Sequence, residues 1–203
     1  MYAVGVFGDS ITLGRGNNID RGWCGRLRKE FEAKDYYNIL YNLGIPDNTS
    51  TNLLKRMPTE CETRFKKIRE GDKIVLVIAI GINDVRYLGS KDNPQTTIEQ
   101  FKENIKGIST IANNYADKVT FIGLTPVDEE ITLEYEGTQF FNERIIQFNQ
   151  VIEEHCKEEE LQFINLTNVW DEANLKEVLD DGLHPNSKGY ELLFNHIKQN
   201  LIL

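Results

Sequence analysis

A serine hydroxyl is a poor nucleophile at neutral pH. It needs a base to take its proton, a third group to orient that base, and donors for the oxyanion that forms. The chain offers five serines (Ser10, Ser50, Ser90, Ser109 and Ser187) and three histidines (His155, His184 and His196). Ser109 falls inside a helical pattern, Ser50 and Ser90 lie in polar stretches read as loops, and Ser187 is placed to cap the last helix. Ser10 alone sits on a glycine-flanked turn after an apolar run, in Gly8-Asp9-Ser10. Such a turn can expose a side chain at a sheet edge and aim backbone N–H groups at an anion. An ordinary turn serine carries the same local signature, so this segment alone leaves both readings open.

Among the histidines, His155 precedes Cys156-Lys157-Glu158-Glu159-Glu160 and reads as a solvent-facing helix end. His196 lies within an amphipathic pattern, as a surface or otherwise satisfied side chain. His184 lies in the turn Asp181-Gly182-Leu183-His184-Pro185. A carboxylate three residues upstream can reach the imidazole Nδ1–H, fix the tautomer, and leave Nε2 free for a serine. Asp180 is a rival orienter at one residue longer spacing, and a capping or turn histidine is the plainer alternative. For donors the chain offers the Gly44 backbone, which the absence of a side chain lets approach a ligand, and the neutral amide of Asn83. Asp9 and Asp84 flank these positions, as acceptors for backbone N–H groups or as electrostatic modulators of His184. Together with Arg86 and Tyr87 they are also the candidate substrate contacts.

These residues are far apart, so an architecture must gather them. Five β-like runs stand out: Tyr2–Phe7, Tyr37–Leu43, Lys73–Ile80, Lys118–Gly123 and Gln162–Leu166. The third, KIVLVIAI, is apolar without alternation, as a strand covered on both faces reads. Between the runs, Ile98, Phe101, Ile105, Ile108 and Ala112 recur at three and four residues. So do Phe141, Ile145, Phe148 and Ile152, and later Tyr190, Leu193, Phe194, Ile197 and Leu201. Alternating strands and helices predict a parallel α/β sheet with right-handed crossovers, in one domain spanning 1–203. Ligands of such sheets bind beyond the strand carboxyl ends. The segments Gly8-Asp9-Ser10, Gly44-Ile45-Pro46-Asp47, Gly81-Ile82-Asn83-Asp84 and Leu124-Thr125-Pro126 all follow strand runs and would converge on one rim.

Four of these segments carry a family resemblance that runs nearly end to end. Gly8-Asp9-Ser10-Ile11-Thr12, with Thr12 where the family often has leucine, is followed by Asn42-Leu43-Gly44, Gly81-Ile82-Asn83-Asp84 and Asp181-Gly182-Leu183-His184-Pro185. In order and spacing they resemble the SGNH/GDSL hydrolases. The resemblance implies a three-layer α/β/α sandwich with a five-stranded parallel sheet, flavodoxin-like in arrangement. It implies Ser10 as nucleophile, His184 as general base and then acid, and Asp181 as the orienting carboxylate. Ser10 N–H, Gly44 N–H and the Asn83 side chain would form the oxyanion hole. The implied activity is cleavage of a small-molecule ester through an acyl-enzyme. Transfer of the acyl group to a sugar alcohol, or a non-catalytic binding module on the same fold, are the alternatives.

Other chemistries find less support. The net charge of -9 argues against a nucleic-acid backbone or an anionic membrane as the main partner, since both demand clustered cations. The densest basic group, Lys66, Lys67 and Arg69, is read as the solvated face of a helix. Cys24, Cys61 and Cys156 are odd in number and widely spaced, which suggests reduced thiols and a cytoplasmic setting over disulfides or a zinc site. The longest aliphatic run, Ile74 to Ile80, is too short to span a bilayer, and no signal-peptide pattern fits before Ser10. No G-x-S-x-G, H-E-x-x-H or P-loop occurs, and Ile19 spoils the fingerprint begun by Gly14 and Gly16, so no cofactor is implied. Oligomeric state is not legible. Specificity is expected in loops Val85–Gln95 and Val127–Gln139, whose polar character, with Arg86, Tyr87, Lys91, Asp128, Glu129, Glu130 and Tyr135, favours a small or carbohydrate-borne acyl ester over a long lipid chain.

Overall fold

The computed structural model describes residues 1–170 and 175–201. Strand β1 (Tyr2–Gly8) runs into the short helix α1 (Ser10–Leu13), followed by α2 (Gly22–Glu32), β2 (Ile39–Gly44) and α3 (Ser50–Arg64). Next come β3 (Lys73–Ala79), the two-residue strand β4 (Tyr87–Leu88) and α4 (Ile98–Tyr115). β5 (Lys118–Ile122), α5 (Glu129–Thr132) and a second two-residue strand, β6 (Thr138–Gln139), precede α6 (Asn142–Glu158). β7 (Gln162–Ile164), α7 (Leu175–Val178) and α8 (Ser187–Asn200) complete the described elements.

Five strands form a parallel sheet in the order β2-β1-β3-β5-β7. Numbered within the sheet this is 2-1-3-4-5, the flavodoxin-like order, whose direction of progression reverses between β1 and β3. Helices cover both faces, giving the three-layer α/β/α sandwich expected. On one face Ile74, Leu76 and Ile78 of β3 pack with Leu53 and Met57 of α3, Phe101 and Ile105 of α4, and Phe148 of α6. On the other, Val75 and Val77 pack with Trp23 and Leu27 of α2 and with Leu193 and Ile197 of α8. Pleating still sends alternate β3 side chains to opposite faces, but both faces are dry, so the sequence shows an unbroken apolar run. Each such side chain contributes about 1.5–3 kcal/mol by leaving water.

Register sets the stage for the chemistry. Gly8 of β1 lies opposite Gly44 of β2 and Ala79 of β3, so three strands end level. Whatever follows each of them emerges at one place beside the reversal point. Close approach explains two of the glycines. A Cβ on Gly8 would lie 2.1 Å from Thr12 Oγ1 and 2.6 Å from Ala79 O, and one on Gly44 would lie 2.4 Å from Leu13 N. All three contacts are shorter than atoms tolerate, so α1 can fold back onto the strand ends only over bare backbone.

All five expected strands form, with ends moved by one or two residues. Two long helices, α2 and α3, and the one-turn helices α1, α5 and α7 lie outside the patterns noted in the sequence. In α3 the apolar stripe Leu53, Met57, Cys61 is fully buried although Pro58 lies inside the helix, so tertiary packing outweighs the breaker. Ser50 is consequently not a loop residue but the first residue of α3, and it is buried. Lys66, Lys67 and Arg69 follow the end of α3 and are not on a helix; Lys67 Nζ pairs with Asp117 at 2.7 Å. The cap of α8 is Asn186, whose side chain accepts from the N–H groups of Lys188 and Gly189, while Ser187 is the residue after it and accepts from Asn17 Nδ2. His155 is buried within α6, against the edge of Phe121, so it does not face solvent. The three cysteines are buried and free. Among the described residues no helix is long and apolar enough to cross a membrane.

Candidate active site

Asp9 has extended backbone and caps α1, its Oδ1 accepting the Ile11 N–H at 3.0 Å. Ser10 is therefore the first residue of a helix, where a backbone N–H has no acceptor within the helix. The helix lasts one turn before left-handed Gly14 ends it. This brief helix turns the chain sharply away from β1 and leaves Ser10 at the carboxyl edge of the sheet.

The Ser10 Oγ lies 2.8 Å from His184 Nε2, across a separation of 174 residues. His184 Nδ1 lies 2.8 Å from Asp181 Oδ2. A carboxylate only accepts, so Nδ1 carries the proton and Nε2 faces the serine with its lone pair. The turn that holds this pair is tightly wired. Asp181 Oδ1 accepts the backbone N–H groups of His184 at 2.7 Å and Leu183 at 3.1 Å, and the Asp180 N–H donates to His184 O at 2.8 Å. Asp180, the rival orienter, thus contributes backbone to the turn, and its carboxylate lies toward Gly16. A further donor comes from outside the turn: the Tyr135 hydroxyl gives its hydrogen to Asp181 Oδ2 at 2.9 Å.

The electrostatics separate the carboxylates. Partial burial opposes ionisation of Asp181, but the side-chain and backbone hydrogen bonds from His184, its charge and the Tyr135 hydroxyl outweigh it, holding the acid well below the usual range. Asp9 is enclosed, and desolvation pushes it up to about 7 in spite of the Ile11 bond and the nearby His184. Burial also raises Asp84, against hydrogen bonds from Ser50 and Thr96. One carboxylate beside the imidazole is thus a firm anion, and the other two are reluctant ones.

Two of the three donors expected for an oxyanion already make hydrogen bonds. Asn83 Nδ2 donates one hydrogen to Asn48 O at 3.0 Å, leaving its second hydrogen for another acceptor. The Gly44 N–H donates to Asn42 Oδ1 at 3.0 Å, so it acts on a ligand only by giving up that bond. Asn42 in turn donates to Thr12 O at 2.9 Å and so ties α1 to β2.

Two of the four candidate substrate contacts, Asp84 and Asp9, are enclosed. Asp84 is fully buried and accepts from Ser50 N–H at 2.8 Å, Ser50 Oγ at 2.5 Å and Thr96 Oγ1 at 2.9 Å. It fastens the turn bearing Asn83 to the start of α3 and exposes no surface to solvent. Asp9 is likewise buried at its helix cap. Arg86 and Tyr87 are half-buried in the following loop. Arg86 binds Asp47 at 2.6 Å and Gln95, while Tyr87 stacks beneath the Arg144 guanidinium at 4.7 Å and edge-on to Phe141. The two loops expected to set specificity are joined, since β4 and β6 pair as an antiparallel ribbon. Sequence reasoning overlooked Tyr135, Ser50, Thr96, Asn42 and Asn48 as supports of the site. A Thr49/Asn52 capping box at the start of α3 was the one local signal for part of this set.

A cleft of about 740 Å³ lies beyond β5 and β7, lined by Pro126, Asp128, Ile145, Trp170 and Lys176 among others, and none of Ser10, Asp181 or His184 lines it. Among the described residues no group of three or more His, Cys, Asp or Glu is placed to hold a metal ion.

The chain resembles known proteins. The model of the GDSL-like Lipase/Acylhydrolase family matches residues 6–192. The chain is 25% identical to an isoamyl acetate-hydrolyzing esterase of Saccharomyces cerevisiae, over 95% of this chain and 82% of that protein. It resembles the crystal structure of a lipase/acylhydrolase from Enterococcus faecalis, with a TM-score of 0.71 at 25% identity, covering 98% of this chain and 94% of the other. An acetylxylan esterase from Geobacillus stearothermophilus shares the fold with a TM-score of 0.76 at 16% identity, covering 98% and 93%.

Proposed function

Because the chain belongs to the GDSL-like lipase/acylhydrolase family and is a carboxylic ester hydrolase, we propose that Ser10, His184 and Asp181 are the triad that performs its reaction. The observation that carries this reading is the unbroken relay of two 2.8 Å contacts, from Ser10 Oγ to His184 Nε2 and from His184 Nδ1 to Asp181 Oδ2.

Ser10 Oγ attacks the ester carbonyl carbon while His184 Nε2 takes its proton. The carbonyl oxygen becomes an anion, held by the Ser10 N–H and the free hydrogen of Asn83 Nδ2. The Gly44 N–H joins them when it exchanges Asn42 Oδ1 for the developing charge, an exchange favoured because an oxyanion is a stronger acceptor than a neutral amide. Asp181, ionised throughout, stabilises the imidazolium. His184 then returns the proton to the leaving alcohol, and the acyl group remains on Ser10. Water repeats the sequence: His184 takes its proton, the acid is released, and Ser10 recovers its hydrogen.

For the substrate we infer a short acyl group, acetyl above all, on a small or carbohydrate alcohol. The polar joined loops that carry Arg86, Tyr87 and Tyr135 support this. So do the acetyl esters in the names of the yeast and Geobacillus proteins. Hydrolysis of p-nitrophenyl acetate by the wild type and by Ser10→Ala tests the triad. The variant is expected to lose several orders of magnitude in kcat; wild-type turnover by Ser10→Ala would sink the assignment. Preference for long-chain over acetyl esters in a chain-length panel would refute the substrate class.

A further inference from the structure

Asp181 Oδ2 receives two donors, the His184 ring at 2.8 Å and the Tyr135 hydroxyl at 2.9 Å. The second comes from the loop Val127–Gln139, 46 residues away in sequence and outside the four motifs. That loop is held against the triad turn on several sides. The Asp128 N–H donates to Gly182 O at 2.8 Å, and a Cβ on Gly182 would meet Ile131 at 2.8 Å. Tyr135 itself is clamped: its carbonyl accepts from Thr138 N–H at 2.8 Å and Thr138 Oγ1 at 2.6 Å, and its ring lies edge-on to buried Phe140 at 6.0 Å. A side chain fixed in this way presents its hydroxyl without further ordering, so the bond is pre-formed.

We propose that Tyr135 is a positioning residue of the triad: its hydroxyl keeps Asp181 Oδ2 in line with His184 Nδ1 and takes up part of the carboxylate's charge, linking the substrate loop to the base. The inference rests on the reading of Ser10, His184 and Asp181 given above. It extends that reading, because it makes the strength of the base depend on a loop that would also meet the substrate. The phenol is suited to the role, since desolvation and Asp181 push its own ionisation up to about 12 and it remains a donor throughout the working range. Among the described residues the carboxylate accepts four hydrogen bonds, three of them from its own turn, so Tyr135 is the only donor from elsewhere in the chain. The other charged or titratable groups near the pair are Asp9 and Asp84 beyond His184, and Arg15, Glu136, Asp180 and Tyr190 around Tyr135 and Asp181.

Tyr135→Phe keeps the ring against Phe140 and removes only the hydroxyl. In steady-state hydrolysis of p-nitrophenyl acetate, its kcat is expected to fall roughly three- to tenfold while KM changes by less than about twofold. The acid limb of its kcat/KM profile is expected to move to higher pH, because a carboxylate relieved of one donor holds the imidazolium more tightly. Tyr135→Leu, which removes ring and hydroxyl together, should show the same displacement of the limb. If Tyr135→Phe matches the wild type in kcat and in pH profile while only Tyr135→Leu is impaired, Tyr135 is a packing residue and the proposal fails. Ser10→Ala in the same assay separates the two claims: if it stays active the triad reading fails, whereas an inactive Ser10→Ala beside an unaltered Tyr135→Phe overturns this inference alone.

Discussion

Asp9 is enclosed at the α1 cap, and its folded-state acid strength lies near 7 where an exposed aspartate lies at 3.8. A carboxyl weakened by folding gives stability that is full below the unfolded value and is lost as pH rises through the folded one. The window for Asp9 therefore runs from about pH 4 to about pH 7. Across it the folded state binds the proton that the unfolded state releases, so unfolding becomes easier as pH rises. Asp9→Asn removes this dependence yet keeps an Oδ1 to accept the Ile11 N–H. A displacement of about three units corresponds to roughly 4 kcal/mol if complete. Between about pH 5 and about pH 8, where the unfolded carboxyl is already ionised, about 2–3 kcal/mol of it is expressed. Urea unfolding of both proteins at these two pH values, followed by far-UV circular dichroism, gives the stability differences. Asp9→Asn should gain on the wild type by about 2–3 kcal/mol more at the higher pH than at the lower. Subtraction cancels groups that do not touch Asp9. The nearest that do are His184, whose charge favours the ionised form, and Asp84, which opposes it. A gain that does not change with pH would refute the claim that burial dominates at this carboxyl.

Two further outcomes follow from the local geometry. Asn83→Ala removes the one side-chain donor assigned to the oxyanion and should lower kcat on p-nitrophenyl acetate by roughly 10²–10³ with a smaller change in KM; a kcat within a factor of about two of wild type would remove Asn83 from the oxyanion hole. Asn186→Ala deletes the acceptor for the Lys188 and Gly189 N–H groups and should cost about 1 kcal/mol in urea unfolding, whereas Ser187→Ala leaves that cap intact; equal losses in the two variants would contradict the assignment of the cap.

The strands were legible because each is a short apolar run bounded by glycine or polar residues, and burial on both faces is visible in sequence as the loss of alternation. α4, α6 and α8 were legible because one face of each is apolar at helical spacing. α3 was not, because its stripe of Leu53, Met57 and Cys61 is short and interrupted by Pro58, and it is stabilised by what it packs against. The same distinction runs through the site. Asp84 beside Asn83 looks like a ligand contact in sequence, and only the arrival of Ser50 and Thr96 from elsewhere in the chain turns it into a buried fastening. Gly44 has the right type and place for a donor, but its N–H is taken by an asparagine two residues earlier, a matter of side-chain rotamer that spacing does not encode.

Local chemistry is written along the chain. Asp181 and His184 share one turn, and a three-residue spacing is enough to bring a carboxylate to Nδ1 because the turn's own N–H groups hold Asp181 Oδ1. Ser10 was marked by the glycine before it and the strand behind it. Contacts that need two distant segments to end at the same height exist only in the folded chain: Ser10 against His184 across 174 residues, and Tyr135 against Asp181 across 46. Register brings them together. Parallel pairing sets Gly8, Gly44 and Ala79 level, and packing of the loops above them chooses which side chains meet, with a precision of tenths of an ångström that no residue pattern along a single chain carries.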